Sequence, residues 1–495
     1  MASAQDTVDQ SVTERLPTAE AYRWYAVAWP LSILFHLAGN SDFIAATVNG
    51  SVHGVGVLQI VVAILAVALV AFPRPPLGVT LAFVFIVVTV IKAPRIGNHE
   101  LILALASLIL LVSAVISDRR WLATAFPGLR WLLVIAYISI AFSKLNSGFF
   151  DSSVSCAVVF GDEMGNWVGV RVSSNRVLSE FVVWTTAITE LAIPVLLVIR
   201  RWRVVGVLLA LSFHYVLALD PSSHVYDFTS TLFPLFLVFM PLGFHERLSK
   251  AVDSIGGRFG RFGPLALPAA IAAFVVAHGV VLASGWPVWT VAYPAWLIVG
   301  GAVVVQAFAY AVGLVRSGGW PSTERLAARL AWPLIPVIAL VALNGLAPYL
   351  QLRTAAAFNM YSNLETVHVD SNHFLVRTTA GLRTSDVVVI TAAPNDHPLA
   401  HYVDRGVAIP VDNLRHYLRL QSFAAGGDFD PIDDRLDEVK LDWLTTAGGE
   451  QPASVAELDP ADMSWGEMIS YKLGYRRPVD LQTVPRCLRE WGPVG

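Results

Sequence analysis

One lysine stands near the far end of the apolar run RWLLVIAYISIAFSKLNSG, residues 130–148. An ammonium group inside lipid is costly unless it faces water, a partner or a cavity. When neutral it accepts protons, and burial favours the neutral form. Lys144 therefore reads either as a side chain snorkelling to an interface or as a general base. Other ionisable residues take comparable positions. His99 opens one apolar run, His214 lies late in another, and Asp220, His224 and Asp227 follow it. Glu190 lies nearer the middle of a further run. Each has a plain structural alternative. His99 can cap its helix and His214 can bond a neighbouring helix. Glu190 can be a packing partner or a cytoplasmic-side counterion. Asn40 and Asp42 can cap loops.

The elements that must position these residues are set by composition. The chain has 495 residues, 55% hydrophobic and only 14% charged, far below the charge of a soluble domain. Apolar runs of helical span length recur through the first 350 residues, which predicts a polytopic membrane protein. Spans are expected at 22–38, 53–72, 77–92, 99–116, 130–148, 179–199, 203–219, 229–243, 264–284, 288–313 and 330–349, so about nine to eleven helices fill residues 21–350. Residues 1–20 read as a cytoplasmic tail. Basic residues mark cytoplasmic loops: Arg119, Arg120 and Arg130; Arg200, Arg201 and Arg203; Arg247, Lys250, Arg258 and Arg261; Arg316, Arg325 and Arg329. With eleven spans these loops share one side. Lys92 and Arg95 are exceptions on the other. His99, Lys144 and His214 then converge toward the outer leaflet, which predicts a cavity facing outside.

Residues 351–495 differ in kind. Residues 1–350 hold 21 Lys+Arg against 17 Asp+Glu, and the remainder holds 13 against 20. This acidic balance excludes nucleic acid as a partner. Short β-branched runs, LETVHVD, HFLVRT and SDVVVIT, predict strands, and LRHYLRLQSFA and DDRLDEVKLDWLTT predict helices. The fold class is thus an all-α polytopic membrane bundle with a C-terminal extracytoplasmic α+β domain. His373 in this domain reads as structural. No metal site is expected: Cys156 and Cys487 fit no metal motif, and DFDPIDDRLDE lacks the ligand spacing and central glycine of a calcium loop. The two cysteines are either paired or free.

Lys144-Leu145-Asn146, at the end of an Ala/Phe-rich helix, resembles the Lys-Leu-Asp of the vitamin K-dependent gamma-carboxylase family. The resemblance is nearest to its bacterial members, the horizontally transferred transmembrane domain proteins. In the carboxylase that lysine is assigned as the catalytic base, and Asn146 departs from the aspartate. Asn98-His99 resembles the family's Asn-Asn-His, with Gly97 replacing the first asparagine. Phe213-His214, followed by Phe228 and Leu232-Phe233-Pro234, resembles the family's Phe-His segment and Phe-Pro helix. FNMYSNLETVHVDSNHFLVR resembles the start of the region that follows the membrane domain.

The resemblance implies that reduced vitamin K, or a related naphthoquinone, reacts with oxygen and leaves as an epoxide. Proton abstraction from a glutamate-type side chain and capture of carbon dioxide are coupled to that reaction. Lys144 and His99 would be catalytic, and His214, Asn98, Asn146 and Phe213 would bind the cofactor. It also implies a multi-pass protein of the bacterial cytoplasmic (inner) membrane, with a lipidic quinone and a secreted peptide or protein as partners beside membrane lipids. Two other classes stay open: a non-enzymatic protein for peptide export, maturation or immunity, and a transporter.

Overall fold

Backbone groups in apolar surroundings must pair within their own segment, and helices do this locally. The computed structural model describes residues 19–39, 54–93, 96–117, 120–166, 168–220, 225–257, 263–284, 286–287, 289–318, 326, 330–367, 371–380, 386–424, 434–444, 452–458, 474–482 and 484–487. Its amino-terminal region is all helical: α1 (Tyr25–Gly39), α2 (Gly54–Ala71), α3 (Pro75–Lys92), α4 (Asn98–Ile116), α5 (Trp121–Ser143), α6 (Cys156–Asn166), α7 (Arg176–Val198), α8 (Arg203–Leu217), α9 (Val225–Leu237), α10 (Leu242–Gly257), α11 (Gly263–Ala283), α12 (Trp289–Arg316) and α13 (Ile335–Leu346). Among the described residues, five helices are long and apolar enough to cross a membrane: Pro75–Lys92, Asn98–Ile116, Trp121–Ser143, Arg176–Val198 and Thr290–Arg316. Large apolar side chains on their outer faces, such as Phe83, Val115, Phe181, Ile188 and Ile298, are exposed. In water such a surface would be an interaction site, so it fits a lipid-facing belt.

Helix α5 departs from the expected 130–148. It begins at Trp121 and ends at Ser143, so Lys144 is its C-cap rather than an interior residue. Arg130, expected in a loop, lies inside this helix. It is buried, and its Nε donates to the Val238 carbonyl oxygen at 2.8 Å. Arg203, expected in a turn, starts α8 and donates from Nε to the Leu197 carbonyl oxygen at 2.6 Å. Both cations serve helix-end carbonyls that α9 and α7 leave unpaired. Helices α6 and α10 were not expected. Helix α10 buries Phe244, His245 and Ser249 and exposes Glu246, Arg247 and Lys250, which is the one-sided pattern of a surface helix.

A distinct α/β region follows. Its open sheet has the order β3-β1-β2-β4, with β1 Val387–Ala392, β2 Val407–Pro410, β3 Lys440–Trp443 and β4 Val479–Asp480. Every pairing is antiparallel: Val388 faces Ile409 across β1–β2, Ile390 faces Leu441 across β1–β3, and Val407 faces Asp480 across β2–β4. Helix α14 (Val411–Ala424) follows β2 directly. Val388, Ile390, Leu399, Ile409, Leu414 and Leu441 form its core.

SDVVVIT and LRHYLRLQSFA thus adopt the expected strand and helix. DDRLDEVKLDWLTT does not form one helix: a 3-10 turn at Asp434–Glu438 gives way to β3. Leu441 points into the core while Lys440 and Asp442 face solvent, and that period-2 alternation is what a strand requires. LETVHVD and HFLVRT form no strand in their described part. HFLVRT packs instead on the end of α5, where His373 forms an isolated antiparallel bridge with Asn146.

Candidate active site

The end of α5 is held from two directions. Asn146 caps the single turn Ser147–Phe150, accepting from Phe149 N at 2.9 Å, and its Nδ2 donates to the carbonyl oxygens of Ser143 (2.7 Å) and Ser362 (2.5 Å). His373 Nε2 lies 2.8 Å from the Phe142 carbonyl oxygen, and its Nδ1 accepts from Leu375 N and Val376 N, the structural role expected of it. Phe374 N donates to the Leu145 carbonyl oxygen at 2.9 Å. Asn363 joins Cys156 N, the Val154 carbonyl and the Pro485 carbonyl. Cys156 and Cys487 form a disulfide. Backbone strain concentrates in the same segment: Gln351, Ala356, Tyr361 and Asn363 take left-handed conformations with φ near 50°. Such strain persists only where the surroundings over-determine it, and here the docked helix end supplies them.

Docking encloses Lys144 at the edge of a cavity of about 620 Å³, within the range of small-molecule sites. Lys144 Nζ is 2.8 Å from Glu190 Oε2, with side-chain exposures of 6% and 13%. That contact is at ion-pair distance but outside hydrogen-bond geometry. Lys144 donates instead to the Met360 carbonyl oxygen at 3.1 Å, and its ammonium lies 5.6 Å from the centre of the Phe149 ring. Glu190, expected as a packing partner or cytoplasmic-side counterion, is therefore the ion-pair partner of Lys144. The expected span boundaries put α7 and α5 in different phase, which hid the pairing.

Two further groups line the cavity. His214 of α8 hydrogen-bonds the Tyr137 hydroxyl of α5 and lies against Phe213, Phe228 and Phe236, while its Nδ1 is buried without a partner. On the opposite wall, His36 of α1, His99 of α4 and Asp227 of α9 meet. Asp227 Oδ2 is 3.2 Å from His36 Nδ1 and 3.0 Å from His99 Nε2. His36 Nε2 is 3.5 Å from Glu100 Oε2, which Lys92 Nζ approaches at 2.9 Å. Lys92 is thus the counterion of Glu100. Gly97 is required here, because a Cβ at that position would lie 2.5 Å from His99 Cε1.

The structure brings Lys144, His99, Phe213 and His214 to one cavity. Asn98 is buried at the start of α4 and lines an adjoining cavity of about 250 Å³. Asn146 lies in the latch and not on the wall of either cavity. Asp227 is buried. His36, Glu100 and Tyr137 did not stand out in the sequence. The spacing of Lys92 and Glu100 across one helix junction was the available signal for the second cluster. His224, Asn40, Asp42 and Arg95 lie outside the described residues. Phenylalanine rings and ionisable side chains thus share the lining of one cavity. No protein-family model, no curated protein and no solved structure matches this chain.

Proposed function

We propose that this protein is a multi-pass membrane enzyme of the gamma-carboxylase type, acting on a glutamate-type side chain with a lipidic quinone in the aromatic cavity. The observation that carries the reading is the enclosed Lys144–Glu190 pair at the edge of a ring-sized apolar cavity. The site would hold reduced vitamin K or a related naphthoquinone, which with oxygen would supply the strong base for proton abstraction and end as epoxide and water, while carbon dioxide would supply the new carboxyl. Phe213, Phe228, Phe149 and Phe160 would hold its ring.

The residues of the chain bind, orient and move protons. In this largely enclosed, dry site Lys144, paired with Glu190, would in its neutral form take up a proton from a hydroxyl in the cavity. Met360 O and the Phe149 ring hold the nitrogen in place through the transfer. His214, oriented by Tyr137, offers Nδ1 to a second oxygen of the bound ring. The docked segment 354–366 keeps water from the pair. The disulfide fits an oxidising compartment outside the cytoplasm, and the basic residues expected in loops support a cytoplasmic opposite end.

The test is mass spectrometry of purified protein incubated with reduced naphthoquinone, oxygen and labelled bicarbonate. Wild type is expected to form quinone epoxide and a labelled carboxyl group, and Lys144→Ala to form neither. Equal epoxide yields from both proteins remove Lys144 from the mechanism. Absence of epoxide from folded wild type removes the quinone reading and leaves peptide export, maturation or immunity.

A further inference from the structure

The cluster opposite Lys144 has features that proton transfer by Lys144 does not use. Two imidazoles from different helices converge on the same carboxylate oxygen, Asp227 Oδ2, at 3.2 and 3.0 Å. One ligand atom from each of His36, His99 and Asp227 lies within 4.8 Å of the others. Around a tetrahedral ion with bonds near 2.0–2.1 Å, neighbouring ligand atoms are about 3.3 Å apart. The two edges that meet at Asp227 Oδ2 are already close to that length, and the third is within 4.8 Å.

Carboxylates face both ring nitrogens of His36. Its Nε2 faces Glu100, which is itself anchored by Lys92. A carboxylate behind a histidine fixes the ring and directs the lone pair of the other nitrogen forward, as behind metal-bound histidines. The forward nitrogen is Nδ1, which faces Asp227 Oδ2. A lone pair facing a carboxylate oxygen requires a positive centre between them, either a proton or a metal ion. Two further observations favour the ion. Asp227 Oδ1 is buried with no hydrogen-bond partner, and an ion bound by both carboxylate oxygens would satisfy it. Gly39 and Gly97 also form a cradle: a Cβ on Gly39 would lie 3.2 Å from Asp227 Oδ2, and one on Gly97 would meet the His99 ring. Charge points the same way. Lys92 offsets one of the two buried carboxylates, and Asp227 remains.

We propose that His36, His99 and Asp227 form a three-ligand site for a first-row divalent transition ion, with its open coordination position facing the cavity. Two histidines and one carboxylate on one face are a set used by zinc and ferrous iron. His99, 26% exposed at its side chain and lining the cavity, marks the open side, where water or an oxygen of a cavity ligand completes the shell. The site does not depend on the quinone reading, because its ligands are the chain's own.

The test uses full-length protein in detergent, stripped with chelator and titrated with Zn²⁺ against a chromophoric competitor, and with Co²⁺ followed by visible absorption. Wild type is expected to bind a single Zn²⁺ and to give the Co²⁺ bands of a site of low coordination number. His99→Ala and Asp227→Asn are expected to lose both signals. Glu100→Gln should weaken binding about 10–100-fold, and Lys144→Ala should bind as wild type does. Absence of tight Zn²⁺ binding by wild type, or equal binding by wild type and His99→Ala, overturns the proposal and assigns a proton to the cluster. If Asp227→Asn does not fold, His99→Ala decides, since that side chain is partly exposed. Metal binding without epoxide formation leaves this site standing while the quinone reading fails.

Discussion

Glu190→Gln and Lys144→Met are expected to destabilise the protein unequally, and the double variant to recover most of the loss. Both side chains are largely enclosed, so removing one partner leaves an uncompensated charge, at a cost of about 3–5 kcal/mol. The partners differ in what else they touch. After Glu190→Gln, Lys144 keeps the Met360 carbonyl oxygen and the Phe149 ring, and a ring contact of this kind contributes about 0.5–2 kcal/mol. The loss should therefore fall near the lower end, about 3 kcal/mol. After Lys144→Met, Glu190 Oε2 has no hydrogen-bond partner to fall back on, and the loss should approach 5 kcal/mol. With both charges gone the site is an uncharged pair of similar volume, and the double variant should lie within about 1 kcal/mol of wild type. Denaturant midpoints of the four proteins in one detergent measure this cycle. If each single variant costs under about 1 kcal/mol and the two effects add, the pair is solvated like a surface salt bridge, and the dry-site argument for Lys144 is refuted.

Three further outcomes follow from the docked segment. Asn146→Asp, the residue that the resembling Lys-Leu-Asp motif carries, places a carboxylate oxygen where Nδ2 now donates to Ser143 and Ser362. Docking should weaken by about 1–3 kcal/mol, read as faster proteolysis within residues 354–374, and unchanged cleavage would contradict the latch. Cys487→Ser removes the disulfide to Cys156 and should loosen the last strand by about 2–4 kcal/mol, so that reductant accelerates trypsin cleavage of wild type but not of the variant. Enclosure pushes the Glu365 carboxyl up from 4.5 to about 7, with the Asp480 carboxylate adding to the rise and the amides of Val367 and Thr366 opposing it. The fold binds that proton more tightly than the unfolded chain does. Its contribution is therefore full below pH 4.5 and is lost as pH rises through about 7, on the order of 2–3 kcal/mol. Glu365→Gln should flatten a plot of docking stability against pH over that window, and an unaltered slope would assign the dependence elsewhere.

The helical character of residues 21–350 was legible because lipid-compatible runs announce themselves by length and apolarity, and every expected span is helical over most of its extent. The joint placement of Lys144, His99 and His214 was legible for a related reason. Ionisable residues in apolar runs are costly and gather where they find partners. Strand β1 and helix α14 were readable from local periodicity. The segment 434–443 misled, because charged residues at helix-like spacing also suit an exposed turn followed by an edge strand.

The sequence by itself determined which residues are expensive to bury, and so where chemistry or a partner had to be. Only the tertiary structure decided the partners: Glu190 for Lys144, Tyr137 for His214, Asp227 for His36 and His99, and Cys487 for Cys156. Those partners come from helices, or from the distant tail, whose relative rotation and depth arise from packing. Helical periodicity gives a residue's face only modulo an unknown boundary. The nine-residue difference in where α5 begins moved Arg130 from a loop into the core. The helix's end at Ser143, five residues short of the expected 148, turned Lys144 from a residue within a span into the cap that the tail closes over.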